Sequence, residues 1–96
     1  MNAAAFLLTL ERRAPAAEPA RDPLAGAHGF LTRHGETAEG QALRRVLRTL
    51  ATGEGVFAAS DAWLFSQETA ALVAALIDAR LSGRYPESEW RSGPTA

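Results

Sequence analysis

A chain of 96 residues, 47% hydrophobic and 22% charged, has the size and make-up of one globular domain. Its formal net charge is −1, so no overall field draws it to nucleic acid or to an anionic membrane. It has no cysteine, which excludes disulfides, thiolate catalysis and cysteine-based zinc sites and leaves stability to a packed core or to self-association.

Residues 3–13 are strong helix formers with an apolar stripe at Ala3, Phe6, Leu7, Leu10 and Ala14, the spacing of one helical face. Asn2 is placed to cap this helix and Pro15 to stop it. A strand through residues 6–10 is disfavoured because the run has almost no β-branched residues. The segment has no basic leader and its apolar run ends at Glu11, Arg12 and Arg13, so it does not read as a signal peptide. No apolar run is long enough to span a bilayer, and a cytoplasmic location is expected. The basic residues are all arginine and alanine is abundant, a bias that suggests a GC-rich bacterial coding sequence.

Residues 15–22 form a proline- and alanine-rich linker. The domain organisation expected is therefore an N-terminal helix over 1–14, this linker, a helical core domain over 23–91 and a disordered tail over 92–96. The linker tethers the first helix loosely and leaves it free to pack on a partner.

Asp22 and Pro23 open a helix, with Asp at the cap and Pro at the first position. Its stripe is Leu24, Ala27, His28 and Leu31, with Phe30 and His34 flanking, and Gly35 is read as its stop. Thr37 caps a helix over about residues 38–52 that buries Leu43, Val46, Leu47 and Leu50 and turns Gln41, Arg44, Arg45 and Arg48 outward. Gly53 ends it. Residues 56–65 read as a short helix capped at Ser60 and Asp61, with two short strands as the alternative. Ser66 caps the clearest element, over 67–82, with Leu72, Val73, Leu76, Ile77 and Leu81 on one broad face and Gly83 as its stop. A turn of helix opened by Pro86 brings Tyr85 and Trp90 back onto the core. The fold expected is all-α: a single-domain bundle of about four helices plus a short C-terminal helical turn, with the 67–82 helix central.

One short motif stands out. Residues 31–37, LTRHGET, resemble the opening motif of the histidine phosphatase and phosphoglycerate mutase superfamily. The resemblance implies a phosphohistidine at His34 and a phosphate-binding guanidinium at Arg33, in a truncated phosphatase-like enzyme. In that family the motif follows a buried strand, works with a second histidine far downstream and sits in a longer α/β domain. Here residues 24–30 read as helix and no histidine follows the motif. Read on their own chemistry, Arg33, His34 and Gly35 end one helix and Thr37 opens the next.

His28 and His34 are six residues apart, a spacing that puts them on different helix faces, so no metal site is expected. No paired carboxylates, phosphate loop or Ser-His-Asp set is legible, and neither an enzyme nor a cofactor is expected. The leading expectation is a small non-enzymatic protein-interaction module of accessory, regulatory or adaptor type. It would act on a protein partner or a second copy through Phe6, Leu7, Leu10, Trp63 and Trp90, because large apolar side chains dominate interface energetics. The alternative is a small nucleic-acid-binding regulator that meets phosphates with Arg44, Arg45 and Arg48.

Overall fold

Most of the architecture follows from side chains that satisfy helix ends. The computed structural model describes residues 2–13, 22–53 and 56–91. These form six helices: α1 (Ala3–Arg13), α2 (Pro23–His34), α3 (Ala38–Thr52), α4 (Ala59–Leu64), α5 (Gln67–Ser82) and α6 (Glu87–Arg91). No strand occurs among the described residues.

The side chains of Asn2, Asp22, Thr37 and Ser66 accept hydrogen bonds from the backbone N–H groups of Ala5, Ala25, Gly40 and Thr69. Each satisfies a donor that the first helical turn would otherwise leave open. α3 and α5 end at Gly53 and Gly83, whose φ values of 70° and 71° lie in the left-handed region that favours glycine.

α5 is the central element and touches α1, α2 and α3. Val73, Leu76 and Ile77 on α5 are fully enclosed, together with Phe6 and Leu10 of α1 and Leu43 of α3. Phe6 stacks on Phe57, ring centroids 5.0 Å apart, which ties α1 to the segment before α4. α4 and α6 close the remaining sides against α3, and α4 also meets α1.

Four expectations change. The N-terminal helix is an integral wall of the core, because α5 is apolar nearly all round and needs cover that α2 and α3 do not provide. Leu81 is 64% exposed; it lies in the last turn of α5, past the seam the other helices cover. Residues 59–64 are helical, but Ser60 and Asp61 are not the cap: Ala58 holds that position without a side-chain bond, and its carbonyl accepts from the Asp61 N–H. Gly35 is in ordinary right-handed conformation, φ −62°, so it does not stop α2 by the left-handed route. Of the linker expected over 15–22, only Asp22 is described, and it is the cap of α2. The tail expected over 92–96 and the stop expected at Pro15 lie outside the described residues.

Candidate functional site

The five apolar side chains expected to meet a partner separate into two groups. Phe6 and Leu10 are fully buried, Leu7 packs against the core from its edge, and Trp90 is 4% exposed. Phe6, Leu10 and Trp90 are taken up by the core, and Leu7 is partly covered by it. Trp63 is 70% exposed.

The seat of Trp63 is built from both sides. On α4, its neighbour Ala62 is fully enclosed and Phe65, just past the helix, is 1% exposed, so the helix is anchored without the tryptophan. From α1, the Arg13 guanidinium lies 5.5 Å from the Trp63 ring centroid. The same guanidinium donates to the carbonyls of Ala62 and Phe65, the latter at 2.6 Å. Those carbonyls belong to the C-terminal end of α4, where a cation complements the helix dipole. Cation–π attraction and two charge-assisted hydrogen bonds therefore fix the indole on the surface. Leu64, 44% exposed, follows it in the chain.

A carboxylate secures the other end of α4. Asp61 is buried, and both of its oxygens accept from Arg45, at 2.7 Å from Nη2 and 3.1 Å from Nε. Hydrogen bonding to Asp61 raises the Arg45 pKa above its ordinary value. Arg45 is thus engaged with Asp61, which sets it apart from the other two arginines of the face. Arg44 and Arg48 have no ion pair among the described residues and flank a cleft between α2, α3 and α6. Glu39, in the first turn of the same helix, accepts from the Ser66 N–H at 2.5 Å, just before α5.

The LTRHGET residues form the corner between α2 and α3. Thr37 donates from both its N–H and its hydroxyl to the His34 carbonyl, and its hydroxyl oxygen caps α3. Gly40 is buried against this turn: a Cβ there would collide with the His34 carbonyl oxygen and lie 2.9 Å from the Gly35 Cα. His34 is exposed, with its ring 5.1 Å from that of Phe30. His28 is half-buried, and its Nε2 is shielded without a partner among the described residues. No group of three or more metal-ligating side chains is found among the described residues. No helix among them is long and apolar enough to cross a membrane.

The parts that Arg13, Leu64 and Asp61 play at this site escaped the sequence reading. Arg13 is the last residue of α1 and reads as a helix-end charge. Its partners lie 49 and 52 residues away, and Asp61 lies 16 residues from Arg45, separations that no helical period encodes. Set against protein-family models, curated proteins and solved structures, the chain shows no match.

Proposed function

We propose that the protein is a non-enzymatic interaction module, a small cytoplasmic accessory, regulatory or adaptor domain that binds another protein along the α1–α4 edge. One observation carries this reading: Trp63 is exposed yet held in place by Arg13. Tryptophan is the side chain most enriched at interface hot spots. A ring already fixed in the free protein loses little freedom on binding, so more of its contact energy appears as affinity. Leu64 extends the apolar contact, and Arg13 offers a charged rim beside it.

The test is capture of partners by the tagged full-length protein from nuclease-treated lysate, with Trp63→Ala and the control Leu8→Ser compared against the unaltered chain. Leu8 is also exposed, at 50%, on α1. The reading expects a stoichiometric protein partner that Trp63→Ala loses and Leu8→Ser keeps, with both variants folded. A captured set unchanged by Trp63→Ala, or a monomer that retains no protein, overturns it.

A further inference from the structure

The cleft between α2, α3 and α6 encloses about 370 Å³. Its floor is apolar, formed by Leu31 of α2, Leu47 of α3 and Trp90 of α6, and its rim carries Arg44, Arg48 and Arg91. Among the described residues no carboxylate lines it. Arg44 and Arg48 are one helical turn apart on α3, so they stand side by side on one face. Among the described residues neither is ion-paired, and Arg91 is held only by a long 3.9 Å contact to Glu87, which it shares with Arg80. Three of the arginines outside the cleft have partners: Arg45 has Asp61, Arg80 has Glu87 and Arg13 has two carbonyls, whereas Arg12 and Arg33 have no ion pair among the described residues and line no apolar cleft with a second arginine.

We infer that this cleft binds a small amphipathic anion, a carboxylate or phosphate head on a short aliphatic or aromatic body. Guanidinium groups match the planar oxygens of carboxylate and phosphate and are weakly hydrated, which suits them to a partly apolar site. The volume lies within the range of small-molecule pockets, about 300–1,000 Å³. The floor excludes a purely polar ligand from optimal contact, and the rim disfavours a neutral one. The Trp90 ring is buried, so it provides no stacking face for a nucleic-acid base. This inference stands apart from the Trp63 surface and does not depend on it.

The probes are octanoate and octyl phosphate, kept below their micellar range, with octanol and inorganic phosphate as the uncharged and tail-less counterparts. Trp63→Phe leaves Trp90 as the only indole, so its emission reports occupancy of the cleft. Both anionic amphiphiles are expected to shift the emission saturably, with octanol and inorganic phosphate at least tenfold weaker. The double variant Arg44→Gln with Arg48→Gln is expected to weaken binding at least tenfold, while its helical circular dichroism and melting temperature stay near those of the parent. Added salt is expected to weaken the amphiphiles and leave octanol unaffected. Absence of a saturable response to either amphiphile overturns the inference. So does octanol binding as tightly as octanoate, or binding that the double variant leaves intact. A single-stranded oligonucleotide that binds tighter than the amphiphiles, and is lost in the double variant, would assign the rim to nucleic acid and likewise overturn it.

Discussion

Trp63 and Trp90 are the same residue on helices of nearly equal length, six and five residues, and each has an arginine over its ring, at 5.5 and 5.8 Å. One is exposed and the other buried. The difference lies in how many other anchors each helix has. α4 is pinned by Asp61 and Ala62, with Phe65 just beyond, so its tryptophan is left over for the surface. On α6 only Trp90 is buried, and its other tie to the bundle is the exposed Arg80–Glu87 ion pair. In a short helix the fate of one aromatic is decided by its neighbours.

The largest expected effect tests this directly. Trp90→Ala is expected to destabilise the protein by about 3–5 kcal/mol in chemical denaturation, as a large buried aromatic removed from a core does. Trp63→Ala is expected to change stability by less than about 1 kcal/mol. Equal losses from the two would break the comparison. Trp90→Phe sharpens it: the Trp90 Nε1 is shielded and has no partner among the described residues, so removing that N–H offsets part of the lost volume and the cost falls below that of alanine.

Two glycines carry the same lesson to the backbone. A Cβ at Gly40 would collide with the His34 carbonyl, whereas at Gly29 its nearest neighbour is the flexible end of Arg33 at 3.5 Å. Gly40→Ala is expected to cost about 1–3 kcal/mol as an overpacked site. Gly29→Ala is expected to raise stability by about 0.5–1 kcal/mol through helix propensity alone. Thermal melts of the two variants, moving in opposite directions, check the pair.

Arginines give the next contrast. Arg45→Gln leaves Asp61 buried without its cation and is expected to cost about 1–2 kcal/mol, a figure discounted because the Arg45 side chain is 53% exposed. Arg48→Gln, which breaks no ion pair among the described residues, is expected to stay within about 0.5 kcal/mol. A double-mutant cycle of Arg45→Gln with Asp61→Asn isolates the pair's coupling.

The smallest effect is a pH dependence around α6. The Tyr85 hydroxyl donates to Asp22, and Tyr85 packs edge-on against Trp90 with centroids 5.6 Å apart. The Asp22 carboxyl is held below its usual value, chiefly by the Tyr85 hydroxyl and then by the Ala25 N–H. Its stabilisation is therefore present above the unfolded-state value and lost as pH falls through the lower folded one. The Tyr85 phenol is pushed up, first by burial and then by Asp22. Its contribution is present below the ordinary phenol value of about 10 and lost as pH rises through the higher folded one. Melting temperature against pH is expected to be flat between these limbs, and Tyr85→Phe is expected to make both shallower. An unchanged profile in Tyr85→Phe would separate this hydrogen bond from stability.

Much of the fold was legible because caps and stripes are local. Asp22, Thr37 and Ser66 fix where α2, α3 and α5 begin, and the span of α5 follows from Ser66 and Gly83. The apolar stripe of α1 was legible too, but a stripe does not say what covers it, and α5 rather than another molecule does. The candidate site was less legible. Composition gives Trp63 and Trp90 equal weight, and only the anchors around each, set by contacts distant in sequence, decide which is exposed. The same holds for the arginines of α3: Asp61 selects Arg45 and leaves Arg44 and Arg48 at the cleft.

The α1–α5 seam also sets an order of events in time. Synthesis completes α1 roughly 50 residues before α5 begins, which at about 5–20 residues per second is an interval of several seconds. Through that interval α5, which covers the α1 stripe, has not yet been made, and Phe57 becomes available to Phe6 only near its end, so the stripe lacks its main cover on the nascent chain. Codon choice or temperature that lengthens the pause extends this exposure. The yield of folded protein is therefore expected to depend on translation rate through the helix that waits longest for α5, although its Phe6 and Leu10 are fully enclosed once α5 is in place.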